Sequence, residues 1–321
     1  MALAIRFHDQ LASSSHSCLR DDALAGFAAT PKWASPKYFY DRRGSELFEQ
    51  ITEQPEYYPT RTEERILRAA AGEIAAIAGP EADLIEFGSG ASRKVRLLLE
   101  AMRPASYLGI DISEDFLRSS TQKLAADYSW LDVHALCADF SDELHLPEGF
   151  DSSCPLAFFP GSSIGNFTPT QAQQFLTRLH SLLPVGGGLL VGVDLVKDKA
   201  VLEAAYNDAA DVTAAFNLNL LERIRRELDS DIDPARFSHK AIFNEGQSRI
   251  EMHLVSREAQ QVTIEGRRFR FAKGETLHTE NSYKYSLQSF AALARSAGYT
   301  SLAQWTDADR LFSVHYLQRT A

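Results

Sequence analysis

The chain is poor in the residues that build covalent or metal frameworks. It has three cysteines, Cys18, Cys137 and Cys154, none at a Cys-x-x-Cys spacing, and nine histidines without a His-x-x-x-His pair. This excludes a disulfide scaffold and a zinc finger, suits a reducing compartment, and leaves no metal expected. No block of lysine and arginine occurs, and 33 basic against 43 acidic residues give a formal net charge of -10. A nucleic-acid surface depends on neutralising phosphates, so that class of partner is excluded and a small-molecule substrate is expected. No apolar run reaches the length of a membrane span, and residues 1–20 carry no uninterrupted apolar core of signal-peptide length. A cytoplasmic, monomeric protein with no membrane partner is therefore the expectation.

What the chain does have is length and apolar material. Its 321 residues are 45% hydrophobic, enough for one principal domain with an elaborated second unit. Short apolar runs at 84–87, 107–110, 133–138, 156–159 and 189–193 alternate with amphipathic helical stretches, which predicts an α/β fold on a mostly parallel sheet. After residue 197 the rhythm changes. Residues 198–228 read as a long amphipathic stretch and 237–285 as antiparallel hairpins with turns at Asn244-Glu245-Gly246 and Glu265-Gly266. A helix at 286–297 and a last strand at 311–318 return to the main sheet. The expected division is 62–197 plus 286–321 for a nucleoside-binding domain, and 1–61 plus 198–285 for an inserted α+β substrate-binding domain. Residues 1–35 read as an irregular or partly helical lead-in containing a serine cluster at 13–15.

The first apolar run ends in Glu86-Phe87-Gly88-Ser89-Gly90, where glycines let the backbone turn and approach a ligand. Ser92 is placed to cap the helix that follows. The second run ends at Asp111, at the position where an acid takes ribose hydroxyls, and the third ends at Asp139-Phe140, an acid and an aromatic suited to an adenine. Arg93 and Lys94 stand where a dinucleotide fingerprint has its third glycine, which favours a nucleoside lacking a pyrophosphate. The bland alternative is that the glycines serve only a turn and the acids only cap helices.

The fourth run opens into Pro160-Gly161-Ser162-Ser163-Ile164-Gly165-Asn166, beyond a strand's carboxyl end where ligands bind in open sheets. Asn166 offers a donor and an acceptor there, or else caps the next helix. The same loop fits the Gly-x-Ser-x-Gly elbow of serine hydrolases, but no acid-then-histidine pair downstream completes a triad. Residues 36–63 are dense in tyrosine, proline and arginine, either an aromatic segment packed on its domain or a lid carrying phenols. In Thr279-Glu280-Asn281-Ser282, strand alternation turns Glu280 and Ser282 to one face and Asn281 to the other. A carboxylate beside a hydroxyl suits a ring with two nitrogens; a solvated strand face is the alternative.

Together, Pro-Lys-Tyr-Phe-Tyr-Asp at 36–41, Pro-Glu-Tyr-Tyr-Pro-Thr-Arg-Thr-Glu at 55–63, Gly-Ser-Ser-Ile-Gly-Asn at 161–166, Asp-Leu-Val-Lys-Asp at 194–198 and Thr-Glu-Asn-Ser at 279–282 resemble the histidine-specific methyltransferases of ergothioneine biosynthesis. The resemblance covers nearly all of the chain after residue 25. It implies the Rossmann-like fold of class I S-adenosylmethionine-dependent methyltransferases, with that molecule as methyl donor. The implied reaction is trimethylation of the α-amino group of L-histidine, through its mono- and dimethyl forms, to hercynine. It places Gly88, Lys94, Asp111, Asp139 and Phe140 around the cofactor. It places Tyr57, Gly161, Asn166, Tyr206, Phe216, Met252, Glu280 and Ser282 around histidine, with Asn166 and Tyr206 on the amino acid's backbone groups and Glu280 and Ser282 on the imidazole. Tyr40 is expected to pass the amine proton to water. A methyltransferase acting on another histidine derivative, such as a thiohistidine, and a non-catalytic ligand sensor remain as alternatives.

Overall fold

The computed structural model describes residues 5–11, 18–80, 82–142, 144–148, 150 and 154–320; the serine cluster at 13–15 falls outside them. Two compact units are present, one formed by Met1–Ser14, Pro59–Val196 and Tyr283–Ala321, the other by Ser15–Tyr58 and Lys197–Ser282.

The first unit contains strands β1 (Arg6–Asp9), β3 (Leu84–Phe87), β4 (Ser106–Asp111), β5 (Asp132–Cys137), β6 (Leu156–Phe159), β7 (Gly188–Asp194), β13 (Tyr299–Thr306) and β14 (Phe312–Arg319). They form one sheet in the order β1-β5-β4-β3-β6-β7-β14-β13. Every pair from β1 to β7 is parallel, whereas β14 runs antiparallel to both of its neighbours. Helices α3 (Tyr58–Ala78), α4 (Val95–Met102), α5 (Glu114–Asp127), α6 (Pro169–Leu182) and α9 (Leu287–Ser296) belong with this sheet. Successive residues of a strand face opposite sides, and two cores result: Ile85, Phe87 and Phe159 enter one with Phe175 and Phe290, while Leu84 and Phe158 enter the other with Leu67 and Leu99. Burial on both faces explains why β3, β6 and β7 read as nearly continuous apolar runs, with Glu86 and Asp194 as their buried acids. Strand order reverses between β3 and β6, which makes their carboxyl ends the place for a ligand.

The second unit carries β2 (Lys32–Trp33), β8 (Phe237–Asn244), β9 (Arg249–Ser256) and β12 (Thr276–Tyr283), whose last residue lies across the boundary, in the order β2-β12-β9-β8. A separate hairpin joins β10 (Gln260–Ile264) to β11 (Arg267–Phe271). Its helices are α1 (Leu19–Ala28), α2 (Arg42–Glu53), α7 (Lys199–Ala204) and α8 (Val212–Glu227). Asp41 ties α2 to α8: its carboxylate accepts from Gly44 N at 2.7 Å, from Asn219 Nδ2 at 2.8 Å and from Arg226 Nη2 at 2.6 Å.

Three expectations need correction, and one further strand is present. Residues 6–9 are not an irregular lead-in to the second unit but a strand on the edge of the main sheet, pairing Phe7 with Ala135; four residues are too few for a pattern to show. The chain between α9 and β14 forms β13, which is the sheet's other edge and is mostly exposed, so it lacked the apolar run by which the buried strands were read. Residues 198–228 contain two helices, separated by residues 205–211, and Asp211 at the start of the second takes a left-handed φ of 57°. Ser92 does not cap α4; it has φ 51°, and Lys94 stands at the cap without a side-chain hydrogen bond.

Candidate functional site

In the first unit, the residues singled out from sequence gather at the carboxyl ends of β3 to β6. Gly88 follows β3 with φ 68°, and a Cβ there would meet only the Phe140 ring, at 3.7 Å. The backbone is therefore open to close approach on that side. Asp111 ends β4, and each carboxylate oxygen accepts one backbone amide, Gly90 N at 3.0 Å and Ser113 N at 2.9 Å. A carboxylate oxygen has two lone pairs, so the pair keeps capacity for ribose hydroxyls. Burial raises the Asp111 pKa, and the amides of Ser113, Gly90 and Ile112 oppose that rise.

Past β5, Asp139 is held by Ser141, whose N and Oγ donate to Oδ1 at 3.0 and 2.5 Å. Phe140 presents its ring edge-on to Phe87 and Phe159, at 6.4 and 5.6 Å between centroids. An open glycine backbone, an amide-braced acid and an anchored phenyl ring form a set that fits an adenosine.

Lys94 is bound to a partner the sequence did not single out. Its Nζ lies 2.5 Å from Oε2 of Glu63, whose side chain is 0% exposed. The same carboxylate accepts the Gly161 amide at 2.9 Å and 3.1 Å on its two oxygens. In the sequence nothing sets Glu63 apart from Glu64 beside it at the head of the apolar stripe Ile66, Leu67, Ala70, Ile74 on α3; only the fold buries Glu63 and leaves Glu64 half-buried.

Glu86 is the acid of the Glu-x-Gly-x-Gly stretch that ends β3. It is buried beneath the glycine turn, accepts from Tyr107 Oη at 2.7 Å, and is pushed up to about 8 chiefly by desolvation.

The loop after β6 is a tight turn, not a nucleophile elbow. Gly161 and Ser162 carry the positive φ values, 76° and 58°, and Ser163 Oγ donates to the Pro160 carbonyl at 2.9 Å. An elbow holds the nucleophilic serine itself in the strained conformation with its hydroxyl presented outward. Asn166 closes the short 3-10 turn Ser163–Asn166, half-buried. It is not the cap of α6, since Thr168 forms that helix's capping box with Gln171.

Two contacts fix this loop. Ser162 Oγ accepts from Asp194 N at 2.9 Å, and a Cβ on Gly165 would come within 2.7 Å of the Tyr283 carbonyl oxygen. Next to these, Lys284 and Asp194 form an ion pair of 2.7 Å with side chains 0% and 1% exposed.

In the second unit the aromatic residues converge. Phe216 on α8 stacks on Phe39 at 4.6 Å and meets Tyr40 and Phe48 at 5.8 and 6.1 Å. Phe48 meets Tyr57 at 6.3 Å, and Tyr57 meets Tyr206 at the same distance. The array ends in polar chemistry, because Tyr206 Oη donates to Ser282 Oγ at 2.8 Å.

Met252 is buried on β9, and its carbonyl accepts Thr279 Oγ1 of β12 at 3.1 Å. Along β12 the half-buried–buried alternation holds from Thr276 to Glu280, after which Asn281 is half-buried and Ser282 and Tyr283 are both buried. Glu251, His253 and His278 bring three ligand-type atoms within 4.8 Å of one another. Arg249 already supplies the countercharge: Nε and Nη2 lie 2.8 and 2.6 Å from Glu251 Oε1, and against the burial that opposes them these bonds hold the carboxyl at about 2.

Comparison with known proteins gives the chain's relatives. Residues 19–319 match the family model described as histidine-specific methyltransferase, SAM-dependent. Histidine N-alpha-methyltransferase of Mycolicibacterium smegmatis is 44% identical over 302 residues, covering 92% of this chain and 93% of that protein. The protein of the same name from Mycobacterium tuberculosis is 41% identical, covering 92% of each chain. Ergothioneine biosynthesis protein 1 of Neurospora crassa is 31% identical over 90% of this chain, which matches 33% of that longer protein. Among solved structures, an S-adenosylmethionine-dependent methyltransferase from Clostridium acetobutylicum superposes with a TM-score of 0.51 at 9% identity, covering 86% of this chain and 99% of that one. That likeness concerns the fold.

Proposed function

Because this chain belongs to the family of histidine-specific, S-adenosylmethionine-dependent methyltransferases, we propose that it trimethylates the α-amino group of L-histidine to hercynine, a step of ergothioneine biosynthesis. The observation that carries this reading is the 44% identity sustained over 92% of the chain, accompanied by both a nucleoside-type residue set and an aromatic array ending in Tyr206 and Ser282. When bound, S-adenosylmethionine supplies an electrophilic methyl group on a sulfonium, and the protein's work is then to hold and align.

In this reading Gly88, Asp111, Asp139 and Phe140 hold the adenosine, and Lys94 answers the methionine carboxylate. Asn166 and Tyr206 hold the backbone groups of histidine; Glu280 and Ser282, with Tyr57, read its imidazole. The Phe216 and Tyr40 faces stabilise the growing ammonium, as aromatic faces do for quaternary cations. Since an α-amine is mostly protonated below its ordinary pKa near 8, each transfer releases a proton, which the Tyr40 hydroxyl passes to water. The division of labour follows residues 62–197 with 286–321 for the cofactor and 1–61 with 198–285 for the substrate, less the strand β1. A cytoplasmic monomer completes the reading; three free cysteines suit a reducing compartment, and among the described residues no helix is long and apolar enough to cross a membrane.

The test is incubation of the protein with L-histidine and methyl-labelled cofactor, followed by nuclear magnetic resonance of the product. Three methyl groups on the α-nitrogen are expected. Methylation of a ring nitrogen, or turnover of a thiohistidine in preference to histidine, would overturn the assignment.

A further inference from the structure

The Glu63 carboxylate is more completely enclosed than a helix-start acid needs to be. Room for it is built into the sheet, since a Cβ on Gly192 of β7 would be driven into its Oε1. Lys94, whose side chain is 15% exposed, supplies the countercharge through Nζ at 2.5 Å, and the Gly161 amide supplies the hydrogen bond at 2.9 Å. A buried carboxylate persists only when it is paired and hydrogen-bonded, and both conditions are met by groups from two different loops. One is the turn after β3 and the other is the turn after β6. Gly161 also brings its own Cα close to the lysine: a Cβ there would lie 3.6 Å from Lys94 Nζ.

We infer that Glu63 is a positioning residue that sets the donor-side lysine and the histidine-side loop by one carboxylate. This inference rests on the functional reading above for what the two ends bind. Lysine's four-carbon stem is flexible, and the carboxylate holds its ammonium at one place beside the glycine turn. The hydrogen bond to Gly161 holds the amide at the entry of a loop whose first two residues have left-handed φ. Asn166 is thereby carried to a defined position. The two ends separate by chemistry. Glu63→Gln keeps a carbonyl acceptor for the Gly161 amide and removes the charge that holds Lys94. Glu63→Ala removes both.

The test measures S-adenosylhomocysteine affinity by calorimetry, histidine KM and kcat, and amide hydrogen exchange over residues 160–167, in wild type and both variants. For Glu63→Gln, S-adenosylhomocysteine affinity falls about tenfold, while histidine KM and loop exchange stay within twofold. For Glu63→Ala, the same loss is joined by a histidine KM raised at least tenfold, a smaller change in kcat, and faster exchange in the loop. Equal effects of both variants on both ends, or wild-type exchange and histidine KM in folded Glu63→Ala, would overturn it. The exchange and S-adenosylhomocysteine readouts do not need histidine turnover, so a wild type that ignores histidine defeats the functional reading and leaves this inference to be judged on those two.

Discussion

At the scale of single residues, burial decides what a side chain's chemistry becomes. Glu86 is 2% exposed, and its pKa is pushed up to about 8 by desolvation, against the help of Tyr107 and Lys94. The folded state therefore keeps a proton that the unfolded chain loses near 4.5, and stability falls as pH rises between those two values. The loss approaches about 4 kcal/mol at the top of that range, at about 1.4 kcal/mol per pH unit. Glu86→Gln should flatten this slope: thermal unfolding near pH 5 should match wild type, and at pH 8.5 the variant should melt several degrees higher. At the other functional end, Tyr206→Phe removes the donor to Ser282. A neutral buried hydrogen bond contributes about 1 kcal/mol, so steady-state kinetics should show histidine KM raised about fivefold with kcat little changed. The identities of Asp111, Asp139 and Phe140 were legible because each ends an apolar run; Glu63 was not, because its two partners lie 31 and 98 positions away.

At the scale of elements, the strand ends and the turn after β6 act together. The buried pair Lys284–Asp194 stands where β7 ends, and the next backbone amides cross-link the segments: Tyr285 N donates to the Asp194 carbonyl at 3.1 Å and Val196 N to the Tyr285 carbonyl at 2.9 Å. Removing one member takes the counterion from a buried charge, which costs about 3–5 kcal/mol, whereas replacing both with apolar groups is often near neutral. Lys284→Met should thus lower the urea midpoint sharply, and Asp194→Leu combined with it should recover much of the loss. Gly192→Ala makes a complementary case. With Cβ directed into Glu63, overpacking of about 1–3 kcal/mol is expected, together with the weakened S-adenosylhomocysteine binding of Glu63→Gln. Calorimetry reads both. The five buried parallel strands and the later hairpins were readable, since a run buried on both faces or a clear alternation marks each. β1 and β13 lie at the sheet's two edges, where a strand has fewer neighbours to impose a pattern on its side chains.

At the scale of the whole molecule, each unit holds its own part of the proposed chemistry. Binding of S-adenosylhomocysteine to the folded chain alone should raise its stability by about 2.7 kcal/mol at a hundredfold excess over Kd. A thermal scan should show a rise of several degrees, lost in Asp111→Ala. What the amino-acid order determined by itself was local: the apolar runs, the glycine turn after β3, the acids at strand ends, and the blocks by which the family is recognised. Those features depend on neighbours a few positions apart, and the pattern records them directly. The tertiary structure alone decided which distant groups meet. It put Lys94 and Gly161 on one buried carboxylate, brought Tyr206 to Ser282 across 76 positions, and turned a hydrolase-like glycine–serine motif into a clamped loop. Burial and long-range pairing are set by how the two cores close, and a one-dimensional pattern carries no record of that closure.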